Sequence, residues 1–109
     1  MMQVDYAGGT MLTGDAIADV VLRYAAALGG LGRSTTIEVP GITADGLPGT
    51  FLVLLGPASQ ILAEPTERDG EIEDAAFVAA IEREIDVLEH PPRAMPFEGA
   101  LPADDDIFD

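Results

Sequence analysis

Acidic side chains are the residues of this sequence whose number and spacing could support chemistry, because 20 Asp and Glu stand against 5 basic side chains. Glu82, Asp86 and Glu89 follow one another at intervals of four and three residues, which places them on one face of a helix. Glu71 is predicted to lie in line with these three, on the far side of the same helix. Such a row of carboxylates could bind a basic protein surface, and it could also imitate the phosphates of a nucleic acid.

The end of the sequence places apolar side chains directly after a run of acids. Its residues are Asp104, Asp105, Asp106, Ile107, Phe108 and Asp109. This segment resembles the acidic tip of bacterial single-stranded-DNA-binding proteins, in which an aspartate run precedes Ile, Pro and a terminal Phe and docks on partner proteins. Here the Pro is absent, Asp109 follows Phe108, and the chain lacks the barrel pattern of the oligonucleotide-binding fold. The resemblance implies acids that steer toward a basic rim, with Ile107 and Phe108 anchored in an apolar pocket. A tail that only solubilises the chain is the alternative.

The sequence shows no catalytic motif. His90 is the only histidine, and it follows the acidic helix as a candidate general base or metal ligand. The helix dipole alone would also favour a histidine at this place. Neither Ser34 nor Ser59 lies in a Gly-x-Ser-x-Gly pattern, and the absence of Cys excludes thiol nucleophiles and Cys-ligated zinc. The sequence therefore predicts a protein that is not an enzyme and that needs no cofactor or structural metal.

The glycine-rich residues 29–35 have a composition that is also typical of phosphate-binding loops. Such a loop joins a strand to a helix, so that the N–H groups at the start of the helix face the phosphate. Here a predicted helix precedes the glycines and a predicted strand follows them, which reverses that geometry. The pattern therefore favours the end of a helix that leads into a strand.

Charge is unevenly distributed along the chain and limits the classes of partner. Residues 1–63 hold five acids and two arginines, whereas residues 64–109 hold fifteen acids and three arginines. The formal net charge of −15 opposes direct contact with nucleic acid and with anionic membranes. A GC-rich genome or adaptation to high salt would explain the same composition without any partner.

Hydropathy gives no reason to place the chain in a membrane. The longest apolar run, residues 51–55, is far shorter than the about 18 residues that indicate a spanning helix. Residues 1–5 hold an acid and no base, unlike a secretory signal peptide. The sequence thus predicts a cytoplasmic protein without membrane contact.

Two stretches with helical periodicity would position the candidate side chains. Apolar residues spaced by three and four predict a helix over residues 14–28, with Thr13 as its N-cap. The same spacing predicts a second helix over residues 72–89, which Pro91 and Pro92 end. The residues predicted to face the core are Ile17, Val20, Val21, Tyr24 and Leu28 in the first helix, and Phe77, Ile81, Ile85 and Leu88 in the second.

Strands are predicted for residues 3–6, 35–39, 50–55 and 60–64. Residues 50–55 are apolar on both faces, which predicts a central strand that is covered on both sides. The short connections favour an antiparallel meander of the last three strands. Residues 3–6 or 35–39 would then expose a sheet edge, at which the chain could form a homo-oligomer.

These elements predict one compact α+β domain over residues 1–90, in the order β-α-β-β-β-α. Its two amphipathic helices would pack on a three- to four-stranded antiparallel sheet. Residues 91–109 hold four prolines and five acids, which predicts an extended or disordered, flexible acidic tail.

The predicted function is that of a non-enzymatic protein–protein interaction module, such as an adaptor, a regulator or a small assembly subunit. Its acidic surface and acidic tail would engage a protein partner with a basic surface. An inhibitor that mimics DNA or resembles an antitoxin is one alternative. A small-molecule-binding domain, with a pocket at the glycine-rich loops 29–32 and 46–49, is another. The predicted partner-binding residues are Glu82, Asp86, Glu89, Asp104, Asp105, Asp106, Ile107 and Phe108.

Overall fold

A computed structural model describes residues 1–43 and 45–91 of the chain. Its elements are β1 (Met2–Tyr6), β2 (Gly9–Thr13), α1 (Asp15–Gly30), β3 (Thr35–Ile42), β4 (Pro48–Leu55), β5 (Ile61–Pro65) and α2 (Ala75–Glu89). The five strands form one antiparallel sheet in the order β4-β3-β2-β1-β5, and the two helices complete the α+β domain. The α+β class is thus confirmed, with five strands where the sequence predicted three or four. The predicted tail lies outside the described residues, apart from Pro91.

Strand β2 is the element that the sequence did not predict. Gly9 is the first residue of this strand, and it pairs with Tyr6 across a two-residue turn. Ala7 and Gly8 form that turn with φ values of 53° and 82°. Positive φ at both central residues suits the twist of a tight hairpin, and the usual sequence at such a turn is Asn-Gly or Asp-Gly. Here the first residue of the turn is Ala7 and not Asn or Asp, so the sequence does not indicate a hairpin.

The N-cap of helix α1 is a glycine, because another segment of the chain crosses the N-terminus of this helix. Gly14 is the N-cap residue and has no side chain to bind the free N–H groups, so the predicted N-cap, Thr13, is wrong. A Cβ at Gly14 would overlap the backbone carbonyl of Ile72. Thr13 instead ends β2, fully buried, and its hydroxyl donates to the carbonyl of Pro40 at 2.7 Å. The close crossing places Glu71 beside the start of the helix.

The end of α1 has the geometry of a glycine-terminated helix. Gly32 adopts a φ of 67°, and the N–H of Arg33 donates to the carbonyl of Leu28 at 2.9 Å. The N–H of Gly32 donates to the carbonyl of Gly29 at 3.1 Å. These two bonds satisfy carbonyls that the last turn leaves free. They confirm the interpretation of residues 29–35 as a helix end that leads into a strand.

The core lies between the sheet and α1, and α2 packs mainly against α1. All five residues predicted to line the inner face of α1 are buried, from Ile17 to Leu28. On α2, Ile81 and Ile85 are buried, while Phe77 and Leu88 pack against the core half-buried. The helical periodicity of both segments is therefore confirmed. Helix α2 begins at residue 75, three residues later than predicted, because Asp74 caps it by accepting from the N–H of Phe77 at 2.9 Å.

The predicted place of β4 in the sheet is wrong. Strand β4 pairs only with β3 and lies at one edge of the sheet, where Leu52 is 73% exposed and Leu54 is 58% exposed. The meander is correct for β3 and β4 only, because β5 pairs with β1 at the other edge. Strands β1 and β3, which the sequence predicted as edges, are both internal. A strand with apolar residues on both of its faces is therefore not necessarily covered on both faces.

Strong curvature brings strands that are distant in the sheet order close together. The hydroxyl of Tyr6 on β1 donates to the carbonyl of Leu54 on β4, although β2 and β3 lie between these strands. Strand β3 approaches β2 closely at Gly41, where a Cβ would lie 2.8 Å from the carbonyl oxygen of Leu12. A glycine at this place allows the close approach of two backbones at a bend. The sheet therefore folds over its own inner face.

Candidate functional site

The outer face of α2 carries the described part of the predicted acidic site. Glu82 and Asp86 line one shallow depression together with Ala79, Arg83 and Val87. Val87 is 50% exposed and lines the same depression. The arrangement can offer two carboxylates, the guanidinium of Arg83 and one apolar contact to the same partner surface.

Glu89 lies on a neighbouring part of the surface instead of in the same depression. It lines a second shallow depression, which the C-terminal ends of α1 and α2 form together. Leu31, which is 54% exposed, lies in that depression as well. The structure therefore brings Glu82 and Asp86 together and places Glu89 at the border between the two helices.

Arg23 on α1 reduces the acidity of one end of this surface. Its Nε donates to the Oδ2 of Asp19 at 2.9 Å, and its Nη2 donates to the Oε2 of Glu82 at 3.2 Å. These hydrogen bonds, first the one to Asp19 and then the one to Glu82, raise the pKa of the Arg23 guanidinium above its ordinary value. All three side chains are about half exposed or more, so the cluster contributes little to stability. Glu82 is thus partly neutralised by a neighbouring helix.

Asp86 has a different partner, one whose charge depends on protonation. Its Oδ1 lies 3.2 Å from the Nδ1 of His90, and both side chains are 75% exposed. His90 follows α2 as its C-cap residue, and its backbone N–H donates to the carbonyl of Asp86 at 2.8 Å. Within residues 1–43 and 45–91, neither Asp86 nor Glu89 pairs with an arginine. Asp86 is therefore the more available of the two carboxylates in its depression.

Glu71 does not belong to the row of acids, contrary to the sequence prediction. Helix α2 begins after it, and its carboxylate accepts from the backbone N–H of Asp15 at 3.0 Å. The same carboxylate lies 3.1 Å from the ammonium group of Met1, which also binds Asp15 at 2.9 Å. The hydrogen bond from Asp15 and then the one from Met1 lower the pKa of Glu71, and the two carboxylates raise the pKa of the Met1 amine. The role of Glu71 is to cap α1.

Ser59 and His90, two of the candidate catalytic residues, make contacts that support the local structure. The Oγ of Ser59 accepts from the N–H of Gly56 at 2.9 Å and so closes the turn after β4. In the part of the chain that the structure describes, neither Ser34 nor Ser59 is hydrogen-bonded to His90. The same residues hold no group of three or more His, Cys, Asp or Glu side chains that could bind a metal ion. The predicted contacts Asp104, Asp105, Asp106, Ile107 and Phe108 lie outside the described residues.

An apolar cleft of about 220 Å³ lies between the two folded-over parts of the sheet. Val4, Tyr6 and Met11 line one side of it, and residues 51–53 line the other. The glycine-rich loops 29–32 and 46–49, which the sequence suggested as pocket walls, do not reach this cleft. Sequence reasoning missed the cleft because it depends on the pairing of β1 with a strand that was not predicted.

The comparisons with known proteins give no relative. No protein-family model, no curated protein and no solved structure matches this chain. Among the described residues, neither helix is both long and apolar enough to cross a lipid bilayer.

Proposed function

We propose that this protein is a non-enzymatic protein–protein interaction module whose α2 surface binds a basic protein partner. The observation that supports this most directly is the depression that Glu82 and Asp86 line together with Arg83 and the exposed side chain of Val87. Carboxylates of this kind steer a positively charged partner and set its orientation, while an apolar contact beside them adds affinity. The acidic tail, Asp104 to Phe108, would add charge and two apolar anchors to the same partner. A cytoplasmic location stays a prediction.

Helix α2 is suited to this role because its two faces are separated. The side toward α1 is fixed by Ile81 and Ile85, which are buried. Of the two acids in the depression, Glu82 is hydrogen-bonded to Arg23 of α1, whereas the side chain of Asp86 is hydrogen-bonded only to His90 among the described residues. A partner could therefore bind them without a change of fold.

Affinity capture with matched variants tests the proposal. The full chain is immobilised as wild type, as Glu82→Gln with Asp86→Asn, and as Glu64→Gln with Glu67→Gln. Both double variants remove two exposed acids, but only the first pair lies on α2. Proteins captured from the native lysate are identified, purified and titrated against all three forms. At about 0.5 kcal/mol for each exposed ion pair, we expect the α2 variant to bind its partner about fivefold more weakly.

The dependence on salt provides the second criterion. Binding should weaken between low and physiological salt, because exposed charges separated by more than the about 8 Å Debye length are then screened. A partner that binds both double variants equally, or whose affinity does not depend on salt, would contradict the proposal. Truncation after residue 92 then measures the contribution of the tail.

A second candidate is the binding of a small apolar molecule in the cleft beneath Tyr6. Its volume of about 220 Å³ exceeds the roughly 150 Å³ of a cavity known to take up benzene. Thermal unfolding with toluene, and with a sugar as polar control, tests this candidate. An increase in Tm with toluene alone supports it, and equal curves rule it out. The alternative of a DNA mimic has lost Glu71 from its row of charges, which leaves Glu82, Asp86 and Glu89.

A further inference from the structure

Strand β4 is the less protected of the two edges of the sheet. It is eight residues long, holds no charged side chain, and exposes Leu52 and Leu54. Strand β5, at the other edge, has five residues, carries Glu64 and ends at Pro65. Charges, prolines and short length are the features by which proteins prevent edge strands from pairing. Strand β4 has a proline only at its first position.

Two hydrogen bonds show which backbone groups of β4 face outward. The carbonyl of Leu54 accepts from the hydroxyl of Tyr6, which lies outside the β3–β4 pair. The carbonyl of Pro40, which lies opposite Thr50, accepts from Thr13 on β2. Because peptide groups alternate between the two sides of an antiparallel strand, Thr50, Leu52 and Leu54 all direct their N–H and C=O groups to the free edge. Within the described residues, the groups of Thr50 and Leu52 have no backbone partner.

We propose that β4 is a self-association edge, at which a second copy of this chain pairs its own β4 in antiparallel orientation. The two-fold axis passes at Phe51, so that Thr50 lies opposite Leu52 of the second copy and Pro48 lies opposite Leu54 of the second copy. In this register the outward groups of Thr50 and Leu52 bind each other on both sides of the axis. The side chains of Leu52 from the two copies lie diagonally across the new pair of strands.

The register is selected by two positions that would otherwise conflict with pairing. Pro48 has no N–H to donate, and the carbonyl of Leu54 is already bound by Tyr6. Placing Pro48 opposite Leu54 matches the missing donor with the occupied acceptor. The four hydrogen bonds between Thr50 and Leu52 of the two copies therefore carry the pairing.

Electrostatics favour the same strand as the contact between copies. Two chains of formal net charge −15 repel one another, so they meet most easily where neither presents a charge. Residues 48–55 are such a segment, and Leu52 and Leu54 supply apolar surface there. Salt should therefore strengthen this contact, whereas it weakens the contact of α2 with a basic partner. Because salt has opposite effects on the two contacts, failure of the β4 proposal does not imply failure of the α2 proposal.

Sedimentation equilibrium of the full chain tests the inference, at protein concentrations from micromolar to millimolar. We compare low salt with about 1 M salt, where the Debye length is about 3 Å. Wild type should form dimers whose dissociation constant falls as salt is added. Leu52→Glu should weaken the dimer at least tenfold, whereas Leu62→Glu should leave it unchanged, since Leu62 is 59% exposed on β5. Circular dichroism confirms that both variants are folded.

Disulfide cross-linking tests the register, since the natural chain has no Cys. In hydrogen-bonded antiparallel pairs the Cα atoms lie about 5.5 Å apart, within the range that a disulfide spans. The double variant Thr50→Cys, Leu52→Cys should therefore form a covalent dimer on mild oxidation, while Leu62→Cys should not. A monomer at all concentrations in high salt overturns the inference. So does equal weakening by Leu52→Glu and Leu62→Glu, or a dimer that cross-links through position 62.

Discussion

The carboxylate of Glu71 caps a helix whose start is 56 residues away in the sequence, by accepting from the backbone N–H of Asp15 at 3.0 Å. The N-cap residue of that helix, Gly14, cannot do so because it has no side chain. A single contact thus joins the segment before α2 to the start of α1. The arrangement leads to predictions about stability at Glu71 and at Gly14.

Glu71→Ala should lower the free energy of unfolding by about 0.5–1 kcal/mol at pH 7, at the low end for a lost cap because the carboxylate is partly exposed. The pKa of Glu71 is lowered in the folded chain, so its carboxylate stabilises the fold above the ordinary value of 4.5. That contribution disappears as the pH falls through the lowered pKa. Chemical unfolding of wild type and variant at several pH values measures it.

Glu73→Ala serves as the control for this pH dependence, because Glu73 is exposed and lies in the same segment. We expect its unfolding curve to follow that of wild type at each pH. A difference between Glu71→Ala and wild type that stays constant from pH 7 to pH 3 would show that the charge of Glu71 has no part in the cap.

Gly14→Ala should destabilise the fold by roughly 3 kcal/mol, because the added Cβ would overlap the carbonyl of Ile72. Gly30→Ala is the matched change at the other end of α1, where a Cβ meets nothing within 4 Å. It should be neutral or stabilise the helix by up to about 1 kcal/mol. Urea unfolding of both variants decides, and equal effects would show that the segment at Ile72 can move away freely.

Ala7→Asn should raise the free energy of unfolding by about 0.5–1 kcal/mol, because Ala7 has a φ of 53° that Asn tolerates better than Ala does. Ala7→Val should have the opposite effect, since a β-branched side chain is strained in this region. Thermal unfolding of the two variants provides the measurement. If Ala7→Val were the more stable protein, the turn between β1 and β2 would have to be of a different type.

Thr13→Val should lower the free energy of unfolding by about 1–2 kcal/mol, although the two side chains have almost the same shape. Thr13 is fully buried and its hydroxyl donates to the carbonyl of Pro40 at 2.7 Å, so its loss leaves a partly buried acceptor without this donor. Thr36→Val, an exposed position on β3, is the control and should change little. Equal unfolding midpoints for both variants would argue against the bond.

Helices and strands differed in how far the sequence could predict them. The periodicity of Ile17, Val20 and Tyr24 depends on local geometry alone, and all three residues are buried as predicted. The order of the strands depends on contacts between distant residues, which no local pattern reveals. Tyr6 pairs with Ile61, for example, across more than fifty residues. The predicted meander failed at this point.

The candidate site was predictable only in part, for the same reason. The spacing of Glu82 and Asp86 placed them correctly on one face of α2. The bond between Arg23 and Glu82 depends on how α1 packs against α2, and the capture of Glu71 depends on the crossing at Ile72. The exposure of Leu52 follows from a face of β4 that neither helix covers, which composition alone did not reveal.

The place of β1 between β2 and β5 has a consequence for the order of folding. Its hairpin with β2 closes within residues 2–13, whereas its partners in β5 are 55 residues or more further along the chain. Local pairs form early, and distant pairs wait for the loop between them to close. On the ribosome, the open side of β1 must therefore stay unpaired until residues 61–65 have been synthesised. Until then this nascent chain is open to pairing with other extended chains, and it is then that a chaperone would be of most use.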